Sequence, residues 1–217
     1  MIELRHLSIT SGAFHLRDIS LTLNQGEYVA LMGRTGQGKT TIVEAIAGLR
    51  TVTSGQIIIE GVDVTRLPPA SRGVGYVPQD LALFPTMTVR ENLEFALRIR
   101  RAPNEARTQA LADWLGLKAL LDRAVTGLSG GEAQRTALGR ALAFEPKVLL
   151  LDEPFSALDD ETRSEMHRLM ARVREKTGVT VLHITHNRNE ALALADRVLV
   201  IEGGEVGISD FGFRIPE

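Results

Sequence analysis

The sequence predicts an α/β protein: a parallel-sheet core interrupted by a helical insert. Three observations predict it. Tyr28–Met32 is continuously apolar and ends at a glycine, the pattern of a strand buried on both faces. The last third alternates short apolar runs with helical patterns, which implies right-handed crossovers and parallel pairing. Between these parts, residues 80–145 place their apolar side chains at helix spacing.

Each element has its own justification. Residues 1–10 and 56–60 are strand candidates punctuated by Gly12, Gly26, Gly55 and Gly61. In 19–24, Ile19, Leu21 and Leu23 alternate with Ser20, Thr22 and Asn24, the period of a half-buried strand. After Tyr28–Met32 a helix opens, with Ile42, Ile46 and Leu49 as its apolar stripe. Helices are predicted over 88–100 (Val89, Leu93, Leu97) and 104–121 (Leu111, Leu115), parted by Pro103. The four arginines between Arg98 and Arg107 read as a solvated helix end. Residues 148–151 form a buried strand. Residues 160–176 form an amphipathic helix, with Met166, Leu169, Met170 and Val173 on one face and Gly178 as its stop. A strand at 179–185, a helix at 188–195 and a strand at 198–201 complete the chain. The predicted organisation is one domain, 1–217, with its core in 1–79 and 146–217 and the helical part in 80–145.

Composition bounds the function. The 217 residues suffice for a hydrophobic core, and 44% hydrophobic with 24% charged residues is a globular balance. The longest apolar runs, Tyr28–Met32 and 191–195, fall far short of the roughly 20 residues of a membrane span. No secretory signal is visible at the N-terminus. With no cysteine, disulfides and thiolate metal sites are excluded. A net charge of −2 lacks the basic excess that tracks a phosphate backbone, so nucleic acid is not an expected partner.

The chemistry is concentrated in three places. Gly33, Arg34, Thr35, Gly36, Gln37, Gly38, Lys39 and Thr40 match G-x-x-x-x-G-K-[ST] between a buried strand and a helix. Glycines there let successive N–H groups converge on a phosphate, and the helix N-terminus adds partial positive charge. Lys39 is expected on the β- and γ-phosphates, Thr40 on Mg²⁺, and Thr41 beside them in the first turn. Only four of the 25 basic residues are lysine, so a lysine at 39 marks a site for a compact point charge.

The second place is the end of the strand 148–151, where Asp152 and Glu153 follow four apolar residues at the edge where parallel α/β sheets bind ligands. Asp152 is assigned to the Mg²⁺ shell and Glu153 to the water that attacks the γ-phosphate. The third is Ser129, Gly130, Gly131 and Glu132. Ser129 and Glu132 have capping-box spacing. Two glycines in a first helical turn are costly unless bare N–H groups are wanted for an anion.

The order of these motifs, with Tyr76-Val77-Pro78-Gln79, Ser156-Ala157-Leu158-Asp159 and Ile184-Thr185-His186, resembles the ATP-binding cassette (ABC) ATPases over nearly the whole chain. The resemblance implies a P-loop NTPase (RecA-like) core with a parallel sheet, an N-terminal antiparallel β subdomain and an α-helical subdomain insert. It also implies that Gln79 touches Mg²⁺ and senses the γ-phosphate, and that His186 is the switch histidine. Ser129, Gly130, Gly131, Glu132 and Asp159 then act on ATP held by a second cassette, in a homodimer or heterodimer. Asp159 also has the position of a helix cap. Within its strand, His183 reads as structural. The family places an aromatic before the phosphate loop. Here Ser11 stands where that ring is expected, and Phe14 is the nearest ring, a candidate adenine contact.

Residues 79–92 resemble the segment of importer-type cassettes that receives the membrane subunit, and the similarity points to the molybdate, sulfate and sugar group. The expectation is an ATPase using ATP and Mg²⁺, peripheral to the cytoplasmic face of the cell membrane, driving separate permease subunits. Many members of that group append a regulatory domain; this chain, ending at Glu217, is expected to carry none in cis. A soluble ABC ATPase acting on DNA or ribosomes is the alternative, disfavoured by the single cassette and near-neutral charge. A regulatory module without turnover is disfavoured by Glu153, Gln79 and His186.

Overall fold

In the computed structural model, which describes residues 1–11, 14–202 and 205–208, two sheets carry the chain. The first is antiparallel, in the order β2-β1-β4-β5, with β1 at Ile2–Ser11, β2 at Phe14–Leu23, β4 at Ser54–Ile59 and β5 at Val62–Asp63. The second holds β3 (Tyr28–Met32), β6 (Val74–Val77), β7 (Val148–Asp152), β8 (Thr180–Ile184), β9 (Arg197–Glu202) and β10 (Glu205–Ile208). Its order is β10-β9-β3-β8-β7-β6, and only β10 pairs antiparallel.

Alternation along the central strands explains why they are apolar throughout. Tyr28 and Ala30 face one core while Val29 and Leu31 face another. Leu149 and Leu151, against Val148 and Leu150, repeat the division one strand further on. One core lies under α2 (Val89–Ile99), α3 (Glu105–Trp114), α4 (Gly130–Leu142) and α5 (Asp160–Thr177). The other is filled by α1 (Lys39–Ala47) and the antiparallel sheet. The short α6, Arg188–Leu194, leads into β9. Among the described residues no helix is long and apolar enough to cross a membrane.

Three expectations change. The helix predicted over 104–121 stops at Trp114: Gly116 takes φ +66 after the cap Leu115, and a 3₁₀ turn at Lys118–Leu120 follows. Leu115, Leu117 and Leu121 remain buried, so the apolar spacing was real but continued beyond the helix. β2 starts at Phe14 rather than Ile19, because its pairing with β1 shifts register between Leu4 and Ile9. Leu16 and Ile19 are both buried at a spacing of three, which hides the period of two. Third, β5, β6 and β10 had no strand signal. β6 includes Gly75, where a Cβ would stand 2.5 Å from the Ala141 carbonyl oxygen, so glycine lets α4 close on the sheet. Arg98, Arg100 and Arg101 are exposed as expected, but Arg107 is largely covered and donates to the Leu142 carbonyl.

Candidate functional site

The loop from Gly33 to Gly38 joins β3 to α1, and its backbone is possible only with glycine at key points. Gly38 is the N-cap of α1 at φ +92, and a Cβ there would meet the Phe14 ring at 2.7 Å. No side chain caps this helix and its first turn holds no acidic residue, so its leading N–H groups stay available to an anion. Lys39 is buried, and its Nζ donates to the carbonyls of Gly33 (2.9 Å) and Arg34 (3.1 Å), which hold the ammonium over the loop. Arg34, Thr35 and Gly36 form the exposed crest.

Asp152 ends β7, buried and hydrogen-bonded by the Thr40 side chain. Burial raises its pKa above the usual carboxylate range, against the pull of Thr40 and Lys39. Thr40, Asp152 and Gln79 line one cleft of about 690 Å³, together with Tyr76 and Phe84. The three expected metal-site residues are therefore brought together.

Glu153 departs from the strand. Its φ is +46, a conformation that costs a non-glycine residue on the order of 1–3 kcal/mol, while its N–H still donates to Ile184 O at 3.0 Å. Its carboxylate meets His186 Nδ1 at 3.1 Å, across 33 positions of sequence. Glu153 and His186 thus form one unit, while Asp152 belongs with Thr40. His183 is wholly buried, its Nδ1 3.1 Å from the Tyr28 hydroxyl. Burial, helped by neighbouring His167, pushes its pKa down to about 3, so it stays neutral.

The second glycine motif is built differently. Ser129 caps α4: its N–H donates to Glu132 Oε2 (2.7 Å), and Glu132 N–H donates to Ser129 Oγ (3.3 Å). These bonds hold the Glu132 carboxyl below its ordinary pKa. Gly131 has a packing reason as well, since a Cβ would stand 2.8 Å from Thr162 of α5; Gly130 has no such crowding. Asp159 caps α5, accepting from Thr162 N–H (2.9 Å) and Thr162 Oγ1 (2.8 Å), and these bonds lower its pKa. Residues 129–132 and Asp159 make their hydrogen bonds within their own helix starts, not with the loop at 33–41. Phe14 lies against Gly38; the Ser11 side chain falls outside the described residues.

The stretch 79–92 is folded by groups sequence reading did not single out. Arg140 of α4 donates to Leu81 O (2.8 Å) and to Ala82 O, and lies 5.0 Å from the Phe84 ring centroid. Leu81 and Ala82 both have positive φ. Buried Asn92 accepts from Phe84 N–H at 3.0 Å. In sequence, Arg140 is one more polar residue on an amphipathic helix, and nothing local signals its partners.

Comparisons with known proteins agree with one another. A family model described as "ABC transporter" matches residues 16–156. The chain is 45% identical over 196 residues to the molybdate/tungstate import ATP-binding protein WtpC of Thermococcus kodakarensis, covering 89% of this chain and 59% of that protein. It is 46% identical over 213 residues to the sulfate/thiosulfate import ATP-binding protein CysA of Methylococcus capsulatus, covering 94% of this chain and 61% of that one. The chain therefore spans about six-tenths of the length of these curated relatives. Among solved structures it is similar to dimeric MJ0796, described as a bacterial ABC transporter cassette, with a TM-score of 0.83, 30% identity and coverage of 95% and 96%. The post-hydrolysis dimer of that cassette, bound to ADP and Pi, is similar at a TM-score of 0.84 and 28% identity, with the same coverage of both chains.

Proposed function

The chain belongs to the ABC transporter family, and from that premise we propose that it is the ATP-hydrolysing subunit of an importer, one cassette with its nucleotide-binding core in 1–79 and 146–217 and its helical part in 80–145. The contact of Glu153 with His186, at the sheet edge where Leu31 of β3 pairs with Ile184 of β8, carries this reading. The N–H groups of residues 33–41 and Lys39 bind the ATP phosphates. Phe14, whose ring lies against Gly38, is the candidate contact for the base. Glu153 accepts the proton of the water that attacks the γ-phosphorus, the bond to the bridging oxygen breaks, and ADP and phosphate leave. His186 holds the Glu153 carboxylate in place.

The donor set suits Mg²⁺: one hydroxyl (Thr40), one carboxylate (Asp152) and one amide (Gln79) meet in the cleft, leaving room for water and phosphate oxygens. Among the described residues there is no cluster of three or more His, Asp or Glu of the kind an all-protein metal cage needs. Mg²⁺, when bound, neutralises phosphate charge.

Residues 129–132 and Asp159 act in trans, in a dimer of two such cassettes, identical or not. Both solved structures it resembles are dimers of one cassette, the second in a post-hydrolysis state with ADP and Pi. Residues 79–92 receive separate permease subunits, which places the chain at the cytoplasmic face of the cell membrane without entering it. The relatives' names support import. Glu153→Gln tests the reading. It should bind ATP and accumulate as a dimer while turnover falls at least about a hundredfold, the lower end of a positioned base's contribution. Undiminished turnover by that variant would sink it.

A further inference from the structure

Behind the His186 loop lies a carboxylate with no part in the reaction above. Glu190, in the first turn of α6, is 3% exposed. Its Oε2 accepts a 2.6 Å bond from the Thr185 hydroxyl, and that same hydroxyl oxygen accepts from Asn187 N–H at 2.9 Å. Glu190 therefore shapes the backbone on both sides of His186. Its Oε1 stands 3.4 Å from Nε of Arg163, the fourth residue of α5, an ion-pair contact rather than a hydrogen bond. The two Nη nitrogens of Arg163 hold the start of that helix: Nη2 donates to Leu158 O, just before it, and Nη1 to Oδ1 of Asp160, its first residue, each at 2.5 Å.

Three further groups beside Glu190 carry no charge that could balance its own. His183 Nε2 is 3.8 Å away on a ring that burial keeps neutral, and the Tyr28 hydroxyl and His167 are also uncharged neighbours at neutral pH. A buried carboxylate costs several kcal/mol unless a cation compensates it. Arg163 is such a cation. A helix start that needed only an acid in its first turn would leave it in water. Burial against an arginine that grips the carbonyl beside Asp159 calls for a different explanation.

We propose that Glu190 and Arg163 are positioning residues that tie the His186 loop to the turn at Leu158 and Asp159. The pair that handles water in one nucleotide site and the segment offered to the opposite site then move as one body. The proposal rests on the reading of the chain as a dimerising ATPase. One buried ion pair thus couples the two sites of the dimer.

The test is a double-mutant cycle of Glu190→Gln and Arg163→Met, with Arg163→Lys as the conservative variant. Glu190→Gln keeps the acceptor for Thr185 and nearly the same volume but loses the charge. Four quantities are read on each purified full chain with Mg·ATP: kcat, KM, the Hill coefficient for ATP, and melting temperature. Each single variant should lose roughly tenfold in kcat, the scale of coupling between contacting residues. Its Hill coefficient should fall toward 1, and KM should stay within about twofold. The double variant should be no worse than either single one, and Arg163→Lys should recover part of kcat. If Glu190→Gln does not fold, the two Arg163 variants, which leave Glu190 and Thr185 intact, carry the same readouts. Lower melting temperatures with unchanged kcat and Hill coefficient would reduce the pair to a structural role and overturn the proposal. A wild-type chain that neither dimerises nor hydrolyses ATP would instead overturn the reading beneath it.

Discussion

Two helices of this protein begin with glycine-rich sequence, and they begin in opposite ways. α1 starts at Gly38 with no side-chain cap, no acidic residue in its first turn and a buried lysine. α4 starts at Ser129 with a full capping box and Glu132 in its first turn. A capped start is stable by itself, whereas an uncapped one leaves donors in search of an acceptor. The first keeps its leading N–H groups open at the cost of local stability. The second is complete within its own chain, and any anion it meets must share the remaining N–H groups with that cap.

Substitutions can break or sharpen this contrast. The largest effect is expected from Lys39→Ala, which should abolish hydrolysis and weaken nucleotide binding by at least about tenfold in a fluorescent-nucleotide titration. Unchanged affinity would remove the α1 start from the site. Ser129→Arg comes next: hydrolysis should fall by roughly a hundredfold or more through a lost in-trans contact, while nucleotide affinity of the separate monomer stays at the wild-type value. Equal hydrolysis would make the α4 start a cap and nothing else. Ser129→Ala should cost about 1 kcal/mol of stability in denaturant unfolding, the usual loss of a serine cap.

The smallest effect is in pH. The folded pKa of Glu132 is depressed by its bonds to Ser129. Its contribution is therefore present above the ordinary carboxylate pKa and is lost as pH falls through the depressed value. The melting-temperature gap between wild type and Glu132→Gln should narrow from pH 6.5 toward pH 3. A constant gap would show that the charge plays no part. Neutral His183 makes the whole fold less stable as pH falls from about 6.5 toward 3, because the unfolded chain takes up a proton the folded one refuses. That loss is common to both proteins and cancels in the difference.

Much of this was legible in sequence, for identifiable reasons. Tyr28–Met32 and its glycine loop are contiguous, so spacing alone places a strand, a turn and a helix. The capping box at Ser129 is equally local. Errors fell where a tertiary contact overrides a local period. The bulges pairing β1 with β2 concealed five residues of strand, and buried leucines after Trp114 imitated a helix that Gly116 ends. Glu190 carries no signal of its role in sequence, since burial leaves no mark on a single residue.

By itself, the sequence determined the local motifs: a glycine loop between strand and helix, two carboxylates at a strand end and a second glycine motif, each defined over a few neighbouring residues. The tertiary structure alone decided which of their side chains meet. It set Asp152 with Thr40 and Gln79, turned Glu153 through a left-handed backbone onto His186, and buried Glu190 against Arg163. The physical reason is range. Strand, turn and cap preferences are settled between residues a few bonds apart, whereas a hydrogen bond across 33 positions exists only after the parallel strands have brought their ends to one edge of the sheet.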